Sequence, residues 1–245
     1  MRLRWLFLGA LAATLVRADQ VADLVQAHVE ALGGSERIEM LEAMHATGHV
    51  VAGGKRVRFT LTAARPDRVR LETENAGRTL VQGTDGAEPP WEFDTGNWPP
   101  RYRAMPESAA RGFAADAEFD DPLVAGVARG YAFDFGGETT VDGKKVVRLL
   151  VTKKLTETFA LLIDVETKMI VLRIESRTST GGRSVQVLTR YDDYRPVEGV
   201  MLPHRVTVIA DGAVKQQTLL EDIDANPALT KETFTRPKVA LPARK

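Results

Sequence analysis

The sequence predicts an α+β, mainly β fold: a strongly curved antiparallel sheet that forms an unclosed β-barrel, covered by an N-terminal helix and a central helical lid. Most of the chain alternates apolar and polar residues with a period of two, which is typical of strands. Short turns separate successive runs, so neighbouring strands should be antiparallel. Helical segments occur near the start and near the middle. This many strands in one domain must curl into a partial barrel.

The first residues have the pattern of a secretory signal. A short basic start precedes an apolar run over residues 5–16, and a small residue follows at Ala18. Because this run is too short for a stable membrane anchor, we expect residues 1–18 to be a signal peptide that is cleaved near Ala18. We expect residues 19–245 to form a single exported domain. The chain has no Cys, so we expect neither a disulfide nor a lipid-accepting Cys.

Charge excludes two classes of partner. The whole chain has 33 Lys and Arg residues against 33 Asp and Glu residues. Cleavage after Ala18 would remove three arginines and no acidic residue, which leaves a small acidic excess. That balance indicates no nucleic-acid partner and no strong attraction to anionic lipid.

The helices are predicted from their apolar spacing and their ends. In the segment Asp19 to Leu32, apolar residues and His28 form one stripe, with Asp19 as the cap and Gly33-Gly34 as the end. A second short helix is predicted from Ser35. The central insert, roughly Glu107–Ala128, should contain one helix after Pro106 and another capped by Asp121.

The strands are predicted from period-two alternation on either side of the insert. Asp142-Gly143 and Asp211-Gly212 are predicted as hairpin turns, and Gly86 to Pro106 is predicted as an irregular loop around a short strand. The predicted strands are 57–63, 68–74, 78–81 and 91–93, then a strand from Tyr131, 144–152, 156–165, 168–177, 184–193, 203–210 and 213–223.

The reactive residues form no recognisable catalytic or metal-binding pattern. The histidines at 28, 45, 49 and 204 lack ligand spacing, and no Ser lies in a nucleophile elbow, so we expect no metal, no cofactor and no enzyme activity. Pro203 is predicted to begin a strand, with His204 pointing outward. Asp120-Asp121 is not interpreted as a catalytic pair, because Asp121 is better placed as a helix cap.

Three strands carry apolar residues on both faces, whereas an exposed antiparallel sheet has one wet face. The runs are Val146–Val151, Phe159–Val165 and Met169–Ile174. A packed core under the helices explains this surplus, and so does a cavity of lipid size. The sequence leaves both interpretations open.

A series of motifs resembles the bacterial outer-membrane lipoprotein-sorting proteins, the LolA/LolB-like superfamily of periplasmic carriers. The motifs are Ala31-Leu32-Gly33-Gly34, "ARPDRVRLE" (64–72), Trp91-Glu92-Phe93, Val141-Asp142-Gly143-Lys144, "YDDYRPVEGVMLPHRV" (191–206) and "IDANPALTKETFTRP" (223–237). The resemblance implies an unclosed barrel with a helical lid over an apolar cavity. It also implies that the 194–206 stretch is a wide turn and strand entry.

The resemblance implies a monomeric, non-enzymatic carrier or chaperone that binds lipoprotein acyl chains or free lipid. The alternative is an envelope-stress regulator of the same fold that binds an inner- or outer-membrane protein. Arg65 best matches the strand-entry arginine that the family associates with the lid and cargo. The predicted ligand-binding residues are Arg65, Phe59, Leu61, Trp91, Phe113, Leu123, Val124, Val127 and Phe133. The insert is expected to dock on the cavity and to lift off.

Overall fold

The computed structural model describes residues 6–96, 100–153, 157–178 and 182–236, without the side chains before Asp19. The predicted signal peptide, the 86–106 loop and the 156–165 strand are therefore covered in part, since residues 1–5, 97–99 and 156 lie outside the described residues. Within those four ranges, no helix is long and apolar enough to cross a membrane.

The helices lie at the start of the chain and in the insert. Their bounds are α1 Leu6–Leu32, α2 Ser35–Met40, α3 Glu107–Asp116 and α4 Pro122–Ala125. Helix α1 begins well before the predicted start at Asp19, because the Leu- and Ala-rich segment ahead of it is also a strong helix former. Asp121 caps α4 as predicted: its side chain accepts hydrogen bonds from the backbone N–H groups of Leu123 and Val124.

The strands occupy most of the remaining chain. Their bounds are β1 Ala43–Ala52, β2 Lys55–Ala64, β3 Arg68–Asn75, β4 Arg78–Thr84, β5 Trp91–Asp94, β6 Arg101–Ala104, β7 Ala132–Val141, β8 Lys144–Lys153, β9 Glu157–Asp164, β10 Ile170–Thr178, β11 Ser184–Val197, β12 Val200–Ala210 and β13 Ala213–Ala225.

All the strands belong to one 13-stranded sheet, in the order β6-β5-β4-β3-β2-β1-β13-β12-β11-β10-β9-β8-β7. Neighbours pair antiparallel throughout, and β1 pairs with β13 to join the two halves. Strands β6 and β7 are the free edges, so the sheet is not closed and the predicted fold class is confirmed. The helical insert connects these two edges, because it follows β6 and precedes β7.

The hairpin turns at Asp142-Gly143 and Asp211-Gly212 are confirmed. Both residues of each pair have positive φ, with values of 50° and 79° in the first turn and 52° and 71° in the second. This is the geometry of two-residue turns whose twist matches that of the strands they join.

The 194–206 stretch is a long hairpin, and the prediction of a wide turn there is wrong. Strands β11 and β12 pair up to a tight turn at Glu198-Gly199. Pro203 therefore lies inside β12 and does not begin it; it is tolerated because the β12–β13 ladder begins only at Arg205. His204 is only 7% exposed, so the prediction that it points outward is also wrong.

Two strands were missed by the period-two criterion. Strand β1 contains His45, Gly48 and His49, which obscure the alternation, although it pairs on both sides. Strand β6 has four residues inside the predicted loop and pairs with β5. Short or mixed strands of this kind are specified by their neighbours more than by their own pattern.

The helices pack on one face of the sheet. Val21 of α1 and Leu123 of α4 share a core cluster with Leu149 and Val151 of β8. At the other end of α1, Leu32 packs with α2, Val200 and Met169. The predicted placement of both helical segments on the same face is thereby confirmed.

The opposite face carries a second, smaller core. Val146, Leu162 and Leu172 are buried there on three adjacent strands, at 0%, 3% and 6% exposure. The Arg190 guanidinium also pairs with Asp142 at the β7–β8 turn. Strands β8 to β10 are thus apolar on both faces for two reasons. The helices cover the core cluster on one face, and the second cluster buries apolar side chains on the other.

Candidate functional site

A cavity of about 500 Å³ lies between the sheet and the helices. Its walls come from β1, β2 and β9 to β13, from the region of α1 and α2, and from the segment that joins α3 to α4. This volume falls in the range that is typical of small-molecule sites.

One end of the cavity is apolar and closed. Leu32, Ile38, Leu41 and Val200 line it, and each is between 4% and 7% exposed. The sheet adds further apolar wall from Phe59, Leu61, Leu161, Ile170, Val206 and Val208. These side chains are therefore largely withheld from solvent.

Two glycines bring the end of α1 against the β11–β12 turn. A Cβ atom on Gly33 would lie 2.2 Å from the Gly199 carbonyl oxygen, and the φ of Gly33 is 124°. Only glycine fits at that contact and in that conformation. The Gly33-Gly34 and Glu198-Gly199 motifs, distant in sequence, therefore meet beside the closed end of the cavity.

The segment Asp-Ala-Glu-Phe-Asp-Asp at 116–121, which we name the acidic strap, lines the cavity between α3 and α4. Each of its four acidic residues pairs with a cation on a different part of the fold. The pairs are Asp116 with Arg177 (3.1 Å), Glu118 with Lys153 (2.5 Å), Asp120 with Arg65 (2.5 Å) and Asp121 with His28 (2.8 Å).

Arg65 holds the acidic strap to α2 and to the end of β2. Its Nε donates to both carboxylate oxygens of Asp120, at 3.1 and 2.9 Å. Its terminal nitrogens donate to the carbonyl oxygens of Ile38 and Glu39, at 2.6 and 3.0 Å. The guanidinium carbon also lies 5.3 Å from the centre of the Phe119 ring. Charge-assisted, bidentate contacts of this kind are among the stronger hydrogen bonds in proteins.

The Glu118 carboxylate is the second buried contact of the strap. Lys153 donates to both of its oxygens at 2.5 Å, and the Tyr131 hydroxyl donates to one of them at 3.1 Å. The Lys153 side chain is only 7% exposed. A buried ammonium without its partner would be strongly destabilising, so this pair fixes the strap to β8.

His28 is the third buried cation, at 0% exposure. Its Nδ1 lies 2.6 Å from the Lys168 carbonyl oxygen and its Nε2 lies 2.8 Å from an Asp121 oxygen. Both neighbours are acceptors, an arrangement that favours the protonated ring, in which both nitrogens donate. Burial by itself lowers the pKa of His28, but attraction to Asp121 outweighs it and the pKa is raised above 6.5. The pKa of Asp121 is lowered although burial opposes the change, because His28 pairs with it.

The other end of the cavity is polar and more exposed. Arg173 and Arg177 of β10 line it with Thr189 and Tyr191 of β11. Burial raises the pKa of Tyr191 to about 12, so its hydroxyl stays neutral at ordinary pH. The side chains of Arg177 and Asp116 are 39% and 58% exposed. The cavity is therefore amphipathic along its length.

Arg173 is incompletely bonded. Its Nη2 donates to Glu175 at 2.7 Å, and its guanidinium lies 4.3 Å from the centre of the Phe159 ring. Across the described ranges, its Nε is the one buried side-chain nitrogen or oxygen without a hydrogen-bond partner. Such a donor costs about 1–3 kcal/mol relative to a satisfied one.

Four of the predicted ligand-binding residues line the cavity. These are Arg65, Phe59, Leu61 and Val124. The structure brings them together from β2, from the residue after β2 and from α4. Their contact with a ligand stays a prediction.

The other five predicted residues lie elsewhere. Leu123 is 1% exposed and packs in the core beside Phe133. Phe113 packs against Ala63 and Val69, and the Trp91 ring covers Gly83. Val127 is 70% exposed, so it does not dock on the cavity as expected of the lid.

Of the four cations that hold the strap, only Arg65 was predicted as a site residue; His28, Lys153 and Arg177 were not, and neither was Arg173. A usable signal was present: the strap has four acidic residues in six positions, and β10 has arginines at 173 and 177, an even spacing that places both on one face. The lining combines apolar side chains with arginines and acidic residues. In the parts of the chain that the structure describes, no group of three or more His, Cys, Asp or Glu residues is arranged to hold a metal.

Compared by sequence, the chain matches no protein-family model and no curated protein. By structure it is similar to a DUF1329 family protein from Desulfovibrio piger, at 12% identity and a TM-score of 0.60, over 88% of this chain and 97% of the other. An outer membrane lipoprotein-sorting protein domain from Vibrio parahaemolyticus is similar at 10% identity and a TM-score of 0.55, over 81% and 93%. A LolA superfamily protein from Nitrosomonas europaea is similar at 15% identity and a TM-score of 0.53, over 84% of this chain and 96% of the other. The fold expected from the sequence motifs is therefore the fold of these proteins.

Proposed function

We propose that this chain is a non-enzymatic carrier of acyl chains in the periplasm, where it binds lipoproteins or free lipid. The single observation that carries the proposal is the cavity, which is closed and apolar at one end and amphipathic along its length. Burial of a methylene group is worth about 0.8 kcal/mol, so one acyl chain supplies enough free energy for useful affinity after the costs of binding. A structure shared with a lipoprotein-sorting domain adds support.

The acidic strap would act as the latch over the bound chain. Asp120 on Arg65 and Asp121 on His28 hold the strap to α2 and α1, beside the apolar end. A chain could enter if the strap and α3 moved away together, since both lie in the one segment that joins the edges of the sheet. The sheet keeps its own hydrogen bonds in that movement, so opening need not unfold it.

The experiment measures acyl-chain binding to the mature chain and to a variant in which the cavity is filled. Val206 lines the cavity on β12 and is half-buried, so Val206→Phe should fill part of the space. Val214→Phe is the matched control, because Val214 is 63% exposed on β13. We expect wild type and Val214→Phe to bind a fluorescent lipid probe with equal affinity. Val206→Phe should bind the same probe roughly tenfold more weakly, which corresponds to 1.4 kcal/mol.

Native mass spectrometry of protein from the periplasm gives an independent readout. Co-purified lipid or acylated peptide is expected on the wild type and should be reduced on Val206→Phe. Wild-type protein that neither carries nor takes up an acyl chain would overturn the proposal. Stable association with a membrane protein in that case would favour the envelope-stress regulator instead.

A further inference from the structure

We propose that Arg173 and Arg177 form a head-group site at the polar end of the cavity, which takes an anionic head group (a carboxylate or a phosphate) joined to an acyl chain. The inference rests on the proposed function and specifies the class of ligand. When such a ligand is bound, its head group takes the place of the Asp116 carboxylate in the ion pair with Arg177.

The difference between the two ends of the cavity determines how such a ligand is oriented, tail first into the apolar end. Leu32, Ile38 and Val200 close the apolar end at 7%, 5% and 4% exposure, whereas Arg177 and Asp116 at the polar end are 39% and 58% exposed. A tail therefore gains most by lying at the closed end. The head group then lies at the arginines.

The register of the sheet places the polar groups in one row across the cavity wall. Arg173 pairs with Thr189, Thr189 pairs with Val208, and Val208 pairs with Gln216. All four side chains line the cavity. A head group at Arg173 would therefore also meet the Thr189 hydroxyl on the neighbouring strand, whereas Gln216 lies three strands away.

The sheet carries an excess of positive charge at this site, which favours binding of an anion. Arg173 and Arg177 share one carboxylate, since Glu175 accepts from both of them. The remaining negative charge comes from Asp116, which lies on the insert and not on the sheet. When the insert moves away, the two guanidinium groups keep only one carboxylate between them, and an incoming anion restores the balance.

Asp116 holds the most easily replaced contact of the acidic strap. Its side chain is 58% exposed, against 18% for Glu118, 15% for Asp120 and 28% for Asp121. It is also the last residue of α3, where a negative charge opposes the helix dipole. A ligand anion that takes its place on Arg177 would therefore loosen the end of α3, which couples head-group binding to opening of the strap.

The test compares three probes of one chain length: palmitate, hexadecyl phosphate and hexadecanol, each displacing a neutral fluorescent lipid probe from the mature protein. We expect at least one of the two anionic probes to bind roughly tenfold more tightly than the alcohol, as befits charge-assisted hydrogen bonds. The ratio of the dissociation constants of palmitate and hexadecyl phosphate then tells whether a carboxylate or a phosphate is preferred. Acetate and inorganic phosphate without a chain should not displace the probe.

Two variants with opposite expected effects make the test specific. Arg177→Gln should reduce the preference for the anionic probe to about twofold or less, and Asp116→Asn should increase affinity for it because the competing carboxylate is gone. Arg56→Gln is the matched control: Arg56 pairs with an exposed carboxylate at the same distance of 3.1 Å, on the other face of β2 from Phe59. It should leave the preference unchanged.

The outcomes separate this inference from the function on which it rests. Equal binding of all three probes, or a preference that survives Arg177→Gln, overturns the head-group site and leaves the carrier intact. Failure of every probe to bind overturns the carrier and the head-group site together.

Discussion

The buried His28 ring joins α1, the turn before β10 and the cap of α4. Because the pKa of His28 is raised in the fold, its stabilisation is complete below the unfolded value of about 6.5 and is lost as pH rises through the folded pKa. The partner Asp121 has a lowered pKa, so its own share is present at neutral pH and is lost only as pH falls through the folded pKa in acid. The pair is therefore most stabilising from mildly acidic to near-neutral pH.

His28→Gln should lower the free energy of unfolding by roughly 1–3 kcal/mol at pH 6, because it leaves the Asp121 carboxylate without its cation. The difference from wild type should shrink as pH rises through the folded pKa of His28, because the wild-type ring then also loses its charge. Urea unfolding across this pH range measures both effects. His45→Gln is the control, since the His45 Nδ1 faces the Thr62 hydroxyl at 3.0 Å and not a carboxylate. A difference that stays constant with pH would contradict the charged ring.

The pairs of the acidic strap could not be predicted from sequence. Asp121 lies 93 residues from His28, Asp120 lies 55 residues from Arg65, and Asp116 lies 61 residues from Arg177. Only the fold brings such groups together. Arg65 could be predicted as a site residue from its motif, and Phe59 and Leu61 could be predicted as inward-facing from the alternation of their strand, because these signals are local.

At the scale of elements, α4 and the acidic strap differ in how they are held. Leu123 of α4 shares a core with Val21, Leu149 and Leu161. The strap is held by its four ion pairs and by Ala117, which packs with Ala63 and Val69 in a smaller apolar cluster. The lifting of the insert stays a prediction. Because Leu123 ties α4 to the main core, α4 is the part of the insert that is hardest to detach.

Leu123→Asp should therefore destabilise the whole domain, by roughly 3–5 kcal/mol, because it places an unpaired charge in the main core. Val127→Asp, two residues past α4 and 70% exposed in the wild type, is the matched control and should change stability by less than about 0.5 kcal/mol. Urea unfolding and hydrogen exchange of β8 and β9 measure the effect. Unchanged protection of those strands in Leu123→Asp would show that α4 also detaches.

Elements were predictable where their own residues specify them. Alternation located β2, β3 and β8 to β10, and Asp-Gly located two turns, because those signals act within a few residues. The β11–β12 hairpin was underestimated because Glu198-Gly199 is a weaker turn signal than Asp-Gly, and because Pro203 is usually excluded from a paired strand.

At the scale of the whole molecule, cleavage near Ala18 would retain every core side chain of α1 that the structure describes. Among the α1 side chains described, from Asp19 onward, Val21 is the first in the core, at 8% exposure. We predict that protein from the cell envelope begins near Asp19, which N-terminal sequencing or intact mass would establish. Protein that retains Met1 in the envelope would contradict the signal peptide.

A matched pair of recombinant chains tests the same boundary by stability. A chain that begins at Asp23 lacks Val21 and should melt several degrees below one that begins at Asp19. Burial of a Val side chain is worth roughly 1.5–3 kcal/mol, and each kcal/mol shifts Tm by roughly 2–4 °C in a domain of this size. Equal melting temperatures would show that α1 contributes nothing before residue 23.

The pairing of β1 with β13 also has a consequence for the order in which the molecule forms. Met44 faces Ala225, so the first strand acquires its second neighbour only when nearly the whole chain is available. Contacts between segments this far apart in sequence slow folding to milliseconds or seconds. A chain that emerges from its N-terminus during synthesis therefore cannot pair both edges of β1 until its last hairpin has arrived. Deletion of β13 should accordingly abolish cooperative unfolding, and a sharp transition in that truncated chain would contradict this order.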